Sequence, residues 1–227
     1  MSLFNKISSV TKKPFSFEMK RDNSIKKRSL KNIMTMLKNA GYDVKVGIKY
    51  VGSGVSSNVF VIDNKYVLKF TNNGHVARQW QPLVNHKNPN VAKCIAVINT
   101  FDIMNNVKYI IVQKYYEKSF EHMNFPLIDY SFIDYTSDLI NDMDSFDDVW
   151  YKLVNAGYTN HGKFQSEYFD EDVRNKENDP EMKLIRKLVK ELTNGQHYLL
   201  SNGLKPYDIH GDNVRFDSKG TLKIIDF

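Results

Sequence analysis

Three polar residues near the carboxyl end of the sequence have types and spacing that suit metal-assisted chemistry. Asp208 is followed five residues later by Asn213, and Asp226 follows thirteen residues after that. A carboxylate within hydrogen-bond reach of a hydroxyl can act as a general base, and carboxylate and amide oxygens are hard ligands that suit Mg²⁺. Each residue alone is more often a turn former. Their joint spacing, across two short predicted strands, favours a catalytic site.

A glycine-rich segment in the first half of the chain has a different kind of chemistry. Gly52-Ser53-Gly54 lies between two strand-like runs, and glycine lets backbone N–H groups approach a phosphate closely. Lys69 ends the next apolar run, "YVLK", either at a sheet edge or as a cation directed into a cleft. Together they favour a phosphate-binding hairpin, whereas the glycines alone would indicate only a turn.

The elements around these residues change character along the chain. Alternating apolar residues predict strands between 44 and 70, with a tight turn at Asn64-Lys65, and two more strands at 92–98 and 108–115. A short helix is expected around 75–85, a helical region over 119–150, and a helix beginning at Asp179-Pro180. We therefore predict an α+β fold: a basic extension over 1–43 with one amphipathic helix, a β-rich lobe over 44–116, and a mostly helical lobe over 117–227 with a β-hairpin.

From about residue 49 to residue 227, this pattern resembles the protein-kinase-like superfamily. Gly52, Gly54 and Val59 match the glycine-loop motif G-x-G-x-x-G-x-V, with Ser57 at the third glycine, and Lys69 matches the lysine of V-A-I-K. The later spacing matches D-x₄-N followed by D-F, and "LTNGQHYLLSNGLKPYD" resembles the helix and catalytic loop that precede them.

The resemblance implies a two-lobe kinase-like fold that uses ATP and Mg²⁺. It makes Asp208 the group that orients the acceptor hydroxyl and takes its proton, and Lys69 the group that holds the phosphates. It also implies that Asn213 and Asp226 hold the metal, and that His210 stands where many protein kinases have lysine, as in haspin-like loops. The residues expected around the nucleotide are then Gly52, Ser53, Gly54, Ser57, Val59, Lys69, Gln79, Gln113, Tyr115 and His210.

A second interpretation takes His210-Gly211-Asp212 as the H-G-D of aminoglycoside kinases, with Asp212 catalytic. The metal-binding asparagine would then be expected at position 217, where the sequence has aspartate. Because Asn213 stands at the matching interval from Asp208, the spacing favours Asp208.

Four departures from the family bear on activity. Pro206 and Tyr207 replace the His and Arg of H-R-D, Ser57 replaces a glycine, and the sequence ends at Phe227, before the glycine of D-F-G. The glutamate that pairs with the lysine is also missing, and the count along the sequence places Gln79 there. We therefore expect a minimal kinase with a reduced second lobe and a lysine that is held less firmly.

Charge and composition limit the partners and the cellular compartment that we expect. Residues 1–50 carry 12 Lys and Arg against three acids, or +9, which leaves −3 for the rest of a chain with a total charge of +6. Such a segment is usually a solvated extension, but it could contact an acidic partner, and nucleic acid is a less supported choice. The single cysteine, Cys94, and the lack of a signal peptide or a long apolar run predict a cytoplasmic protein without a membrane span.

The expected function is phosphorylation of Ser or Thr on a protein substrate, or autophosphorylation. Two alternatives stay open. Gln79 and the reduced second lobe favour a pseudokinase that acts as a binding module. A small-molecule phosphotransferase would need no activation loop, although such enzymes usually have a large acceptor lobe.

Overall fold

The computed structural model describes residues 48–53, 57–62, 64–99, 109–123, 125, 128, 130–155 and 180–227. The predicted amphipathic helix near residues 30–41, the loop residue Gly54 and the helix cap Asp179 lie outside these ranges. The chain forms two compact units. The first contains the chain up to residue 87 and residues 93–115, and the second contains residues 88–92 and 116–227.

The first unit is built on a five-stranded antiparallel sheet in the order β1-β2-β3-β5-β4. Its strands are β1 (Ile48–Ser53), β2 (Asn58–Ile62), β3 (Tyr66–Thr71), β4 (Cys94–Asn99) and β5 (Tyr109–Lys114). One helix, α1 (Gly74–Trp80), and a 3₁₀ turn (Gln81–Leu83) separate β3 from β4. The predicted Asn64-Lys65 turn is present, and it works because asparagine tolerates the left-handed φ of 50° found at Asn64.

Aromatic and branched side chains give this unit its core. The rings of Phe60 and Phe70 meet edge to face at 5.3 Å between centroids, and Leu68 and Trp80 are fully buried beside them in the sheet and in α1. The Asn73 side chain caps α1 by accepting a 2.9 Å hydrogen bond from the His75 N–H. This fixes the helix that carries Trp80.

The second unit is mostly helical. Its helices are α2 (Tyr130–Asn141), α3 (Phe146–Asn155) and α4 (Pro180–Ser201), and its antiparallel hairpin consists of β6 (Val214–Phe216) and β7 (Leu222–Ile224). Ile185, Leu188, Val189 and Leu192 form the predicted buried stripe of α4, while Leu184 is half-buried.

Backbone hydrogen bonds hold β7 in place against residues 88–92. Ile224 accepts from Ala92 and donates to Asn90, both at 2.8 Å. A Cβ on Gly195 of α4 would lie 2.8 Å from Ile224 Cδ1 and 3.1 Å from the Asn90 carbonyl, so only glycine permits this approach without movement. These contacts fix the strand that leads directly to Asp226.

The predicted α+β class is confirmed: the chain has an antiparallel β-rich unit and a mostly helical unit that carries a β-hairpin. Across the described ranges, none of the helices combines the length and the apolar character that crossing a bilayer would need.

Candidate active site

The loop that carries Asp208 is anchored by alternate buried residues. α4 ends at Ser201, Gly203 then adopts a left-handed φ of 72°, and Leu204 donates back to the Leu199 carbonyl at 3.1 Å. Pro206 and Ile209 are buried, whereas the Asp208 side chain is 82% exposed. The loop is therefore fixed to the unit on both sides of a carboxylate that remains accessible to a substrate.

Asn213 links the three residues that the spacing singled out. Its Nδ2 donates to the Asp208 carbonyl at 2.7 Å, and its own carbonyl accepts from the Ile225 N–H at 2.8 Å. Asn213 therefore connects the loop of Asp208 to the residue directly before Asp226. Its Nδ2 also lies 2.9 Å from His210 Nε2, so the described contacts of the amide lie on its nitrogen and Oδ1 is the atom left for a cation.

His210 lies against this cluster. Its Nε2 is 3.9 Å from Asp208 Oδ1, and its Nδ1 is 3.3 Å from the Asp212 N–H. Both ring nitrogens thus face an N–H donor, from Asn213 and from Asp212, yet a neutral imidazole has only one acceptor nitrogen. Only one of these two hydrogen bonds can form at a time.

Asp212 is placed differently from Asp208. Its carbonyl accepts from Arg215 Nη1 at 2.9 Å, and its side chain is exposed. The amide of Asn213 reaches the backbone of Asp208, not that of Asp212. This geometry favours the interpretation in which Asp208 is catalytic.

Asp134 of α2 supports the loop and was not found from the sequence. Its Oδ1 accepts from the Gly211 N–H at 3.3 Å. Burial raises the pKa of Asp134, although the Gly211 N–H and the nearby His210 oppose that rise. Glu121, Asp134, His210, Gly211 and Asp212 line a cavity of about 380 Å³ beside the loop. No sequence spacing signals that α2 would reach this loop.

In the first unit, Lys69 belongs to a row of paired residues that crosses four strands. Gly52, Val59, Lys69 and Ile111 are successive cross-strand partners on β1, β2, β3 and β5. Paired residues point to one face of a sheet, so Gly52 and Lys69 share a face. A Cβ on Gly52 would meet no described atom within 4 Å.

The Lys69 ammonium is buried and lies over an aromatic ring. Lys69 is 4% exposed, and its Nζ is 5.3 Å from the centroid of the Trp80 ring, a cation–π distance. Gln79 is half-buried, and its side chain forms no hydrogen bond within the described part of the chain. The contact from α1 thus comes from Trp80, which sequence reasoning missed, and the role given to Gln79 stays a prediction.

Gln113 and Tyr115 lie at the end of β5. Gln113 pairs with Val67 and is two residues from Ile111, so it shares the face of Lys69. It is 2% exposed, and its Nε2 has no hydrogen-bond partner among the described residues, a state that costs about 1–3 kcal/mol. The Tyr115 N–H donates to the Lys65 carbonyl at 2.8 Å, which leaves it unavailable to a ligand.

Two of the residues that the spacing singled out are of types that suit a metal ion. Mg²⁺ in phosphoryl-transfer sites usually takes one or two carboxylates plus substrate phosphates, and Asp226 with Asn213 Oδ1 matches that need. Ser57 is half-buried at the start of β2, and the side chain of Ser53 lies outside the described atoms.

Comparisons with known proteins give limited similarity. No protein-family profile and no curated protein matches the chain. Among solved structures, the chain is similar to a GDP complex of a point mutant of aminoglycoside 2'-phosphotransferase-IIIa, at 14% identity and a TM-score of 0.31. It is also similar to the complex of APH(2'')-IIIa with GDP and kanamycin, at 11% identity and a TM-score of 0.33. These matches cover 49% and 55% of this chain, and only 37% and 48% of the other chains.

Proposed function

We propose that the chain is a Mg²⁺- and ATP-dependent phosphotransferase whose acceptor is a Ser or Thr hydroxyl, on another protein or on itself. The observation that carries the proposal is the hydrogen bond from Asn213 Nδ2 to the Asp208 carbonyl. It holds the exposed carboxylate and the amide oxygen in one cluster, as a base and a metal ligand must be held.

In this reaction, Asp208 accepts the proton of the acceptor hydroxyl as its oxygen bonds to the γ-phosphorus. The bond from that phosphorus to the β–γ bridging oxygen breaks, and ADP leaves with the electron pair. Bound Mg²⁺ would neutralise charge on the phosphate oxygens, held by Asp226 and by Asn213 Oδ1. The resemblance to the kinase-like superfamily gives Lys69 the role of holding the phosphates.

The charge around the loop supports a basic acceptor. The cavity that His210 and Gly211 of this loop line also has Glu121, Asp134 and Asp212 among its lining residues. Residues 1–50 carry a net +9 and include several Ser and Thr residues, so this extension is a suitable autophosphorylation substrate. The same cavity also suits an amine-bearing small molecule, which is the second candidate acceptor.

The test is incubation with labelled ATP and Mg²⁺, followed by mapping of any phosphorylated residues. We expect Asp208→Asn to lower turnover at least about 10²-fold, the usual cost of losing a general base, while ATP binding survives. The matched variant Asp212→Asn should keep most of kcat. An inactive Asp212→Asn beside an active Asp208→Asn would refute this assignment and favour the H-G-D interpretation.

Two other outcomes identify the alternatives. ATP binding without turnover on any acceptor would identify a pseudokinase. Transfer to an aminoglycoside or another polyamine alcohol, but not to any Ser or Thr of the chain or of basic peptides, would identify a small-molecule phosphotransferase.

A further inference from the structure

The buried polar side chains described in the first unit lie on one face of its sheet. They belong to Lys69, Thr71 and Gln113. Lys69 and Thr71 are alternate residues of β3, and Gln113 is two residues from Ile111, which pairs with Lys69. The opposite face carries buried apolar side chains, among them Phe60, Leu68, Phe70, Ile110 and Val112. We therefore expect a polar ligand of the first unit on the face of Lys69.

The side-chain amide of Gln113 differs from the other two polar groups on this face. The Thr71 hydroxyl accepts a 2.9 Å hydrogen bond from the Asn73 N–H, and the Lys69 ammonium lies over the Trp80 ring. Gln113 is 2% exposed, and within the described part of the chain neither Nε2 nor Oε1 of its amide makes a hydrogen bond. A buried amide whose donor is unpaired destabilises the folded chain until a ligand pairs with it.

Gln113 also lies where a ligand can reach the end of a strand. It is the last buried residue of β5, and the next residue, Lys114, is exposed. The backbone N–H groups of Lys114 and Tyr115 already donate to backbone carbonyls, at 2.9 and 2.8 Å. A ligand at this end of β5 would therefore find the Gln113 amide as its hydrogen-bonding partner, in place of these two backbone groups.

We propose that the Gln113 amide hydrogen-bonds to the edge of a purine base and accepts both adenine and guanine. This inference rests on the proposed function, in which Lys69 holds the phosphates of a nucleotide. Gln113 and Lys69 are diagonal neighbours across β3 and β5, about 7–8 Å apart, so one nucleotide can contact both. An amide presents one donor beside one acceptor, as the edge of a purine does.

The two bases need opposite orientations of the amide. Adenine has an amino group at position 6, which donates to Oε1 while a neighbouring ring nitrogen accepts from Nε2. Guanine has a carbonyl at position 6, which accepts from Nε2 while its ring N1–H donates to Oε1. Because neither amide atom of Gln113 has a described partner, no contact within the described chain fixes the orientation, and the amide can rotate to suit either base.

The experiment compares three ligands with the full chain in isothermal titration calorimetry: Mg-ATP, Mg-GTP and sodium tripolyphosphate. We expect ATP and GTP to bind with dissociation constants within about tenfold of each other. Gln113→Met, an apolar side chain of similar length, should weaken both nucleotides at least about tenfold and tripolyphosphate less than about twofold, because only the base contact is lost. The control Gln81→Met changes an exposed glutamine and should leave all three affinities within about twofold.

Melting without ligand tests whether the amide serves a ligand or the fold. Gln113→Met should melt at the same or a higher temperature than the parent chain, because the variant removes a buried donor without a partner. Gln196→Met is the matched control. Gln196 is also fully buried, but its Nε2 donates to the Ser137 carbonyl and to Asn141 Oδ1, both at 2.8 Å, so this variant should melt at a lower temperature.

Different results overturn the inference and the proposed function. If Gln113→Met binds ATP and GTP as the parent does, or weakens tripolyphosphate as much as the nucleotides, the base contact is refuted while nucleotide binding stands. A parent chain that prefers one nucleotide by more than about tenfold refutes the rotating amide. A lower melting temperature of unliganded Gln113→Met would assign the amide to the fold. If none of the three ligands binds the parent chain, the proposed function fails together with the inference.

Discussion

Replacing Asn213 tests whether its amide holds the catalytic loop together independently of any bound metal. Asn213→Ala removes the donor to the Asp208 carbonyl at 2.7 Å and the contact with His210 Nε2 at 2.9 Å. A neutral intramolecular hydrogen bond contributes about 1 kcal/mol net, and Asn213 is only half-buried. We expect Asn213→Ala to lower the free energy of unfolding by about 1–2 kcal/mol.

Asn213→Asp separates the loop contact from metal binding, because it keeps an oxygen ligand of the same size. The new carboxylate oxygen would replace the nitrogen that lies 2.7 Å from the Asp208 carbonyl, so two acceptors would face each other. We expect this change to cost about 1 kcal/mol more than Asn213→Ala at pH 7. The folded state should raise the pKa of the new carboxyl above its ordinary value of about 3.9.

The sign of the pH effect follows from that raised pKa. Below about pH 4 the carboxyl is protonated in both states and can donate to the carbonyl, so the extra penalty is absent. The extra penalty appears as the pH rises above the ordinary aspartate pKa, and it is complete above the raised pKa of the folded state. Urea denaturation at pH 4 and pH 7 measures this, with the exposed Asn72→Ala as control. The reasoning fails if Asn213→Ala stays within about 0.5 kcal/mol of the parent, or if Asn213→Asp matches it at pH 7.

Three further predictions concern the nucleotide and the hairpin. Mg-ATP at about 100 times its dissociation constant should stabilise the chain by about 2.7 kcal/mol in thermal melting. Lys69→Ala should abolish this shift in melting temperature. If millimolar Mg-ATP gives no shift, that result counts against any kinase function. Gln79→Glu should leave turnover equal or higher, because a carboxylate would hold Lys69 more firmly, and a strong loss would show that α1 is not placed as assumed. Burial raises the pKa of Asp217, but hydrogen bonds from the Thr221 N–H, Lys223 and the Lys219 N–H outweigh it, so the net pKa is lowered. Asp217→Asn should therefore destabilise the chain at pH 7, with the difference shrinking as pH falls below the ordinary aspartate value; a difference independent of pH would contradict this.

The elements of both units were predictable because local patterns determine them. Alternation gave the strands around Asn64-Lys65, and the apolar stripe from Leu184 to Leu192 gave α4. The order of strands in the sheet was not predictable in the same way. That order depends on β5 pairing with β3 as well as with β4, a long-range choice that no local pattern determines.

The residues of the proposed site also fall into two groups: those that local spacing predicts and those that depend on long-range packing. The spacing of Asp208, Asn213 and Asp226 indicated a shared cluster, and the hydrogen bonds of Asn213 show how the chain connects them. The contributions of Asp134 and Trp80 come from α2 and α1, and they depend on how each helix packs. A single sequence carries no signal for such contacts.

Trp80 changes what the missing glutamate means. A glutamate beside Lys69 would offer the ammonium a carboxylate with directional hydrogen bonds, whereas the face of Trp80 attracts the ammonium through its ring electrons. The ring orients the ammonium poorly, because it lacks the hydrogen-bond geometry of a carboxylate. If Lys69 holds a nucleotide as proposed, we therefore expect glutamine in place of that glutamate to affect how accurately a phosphate is positioned, and so kcat, more than whether a nucleotide binds.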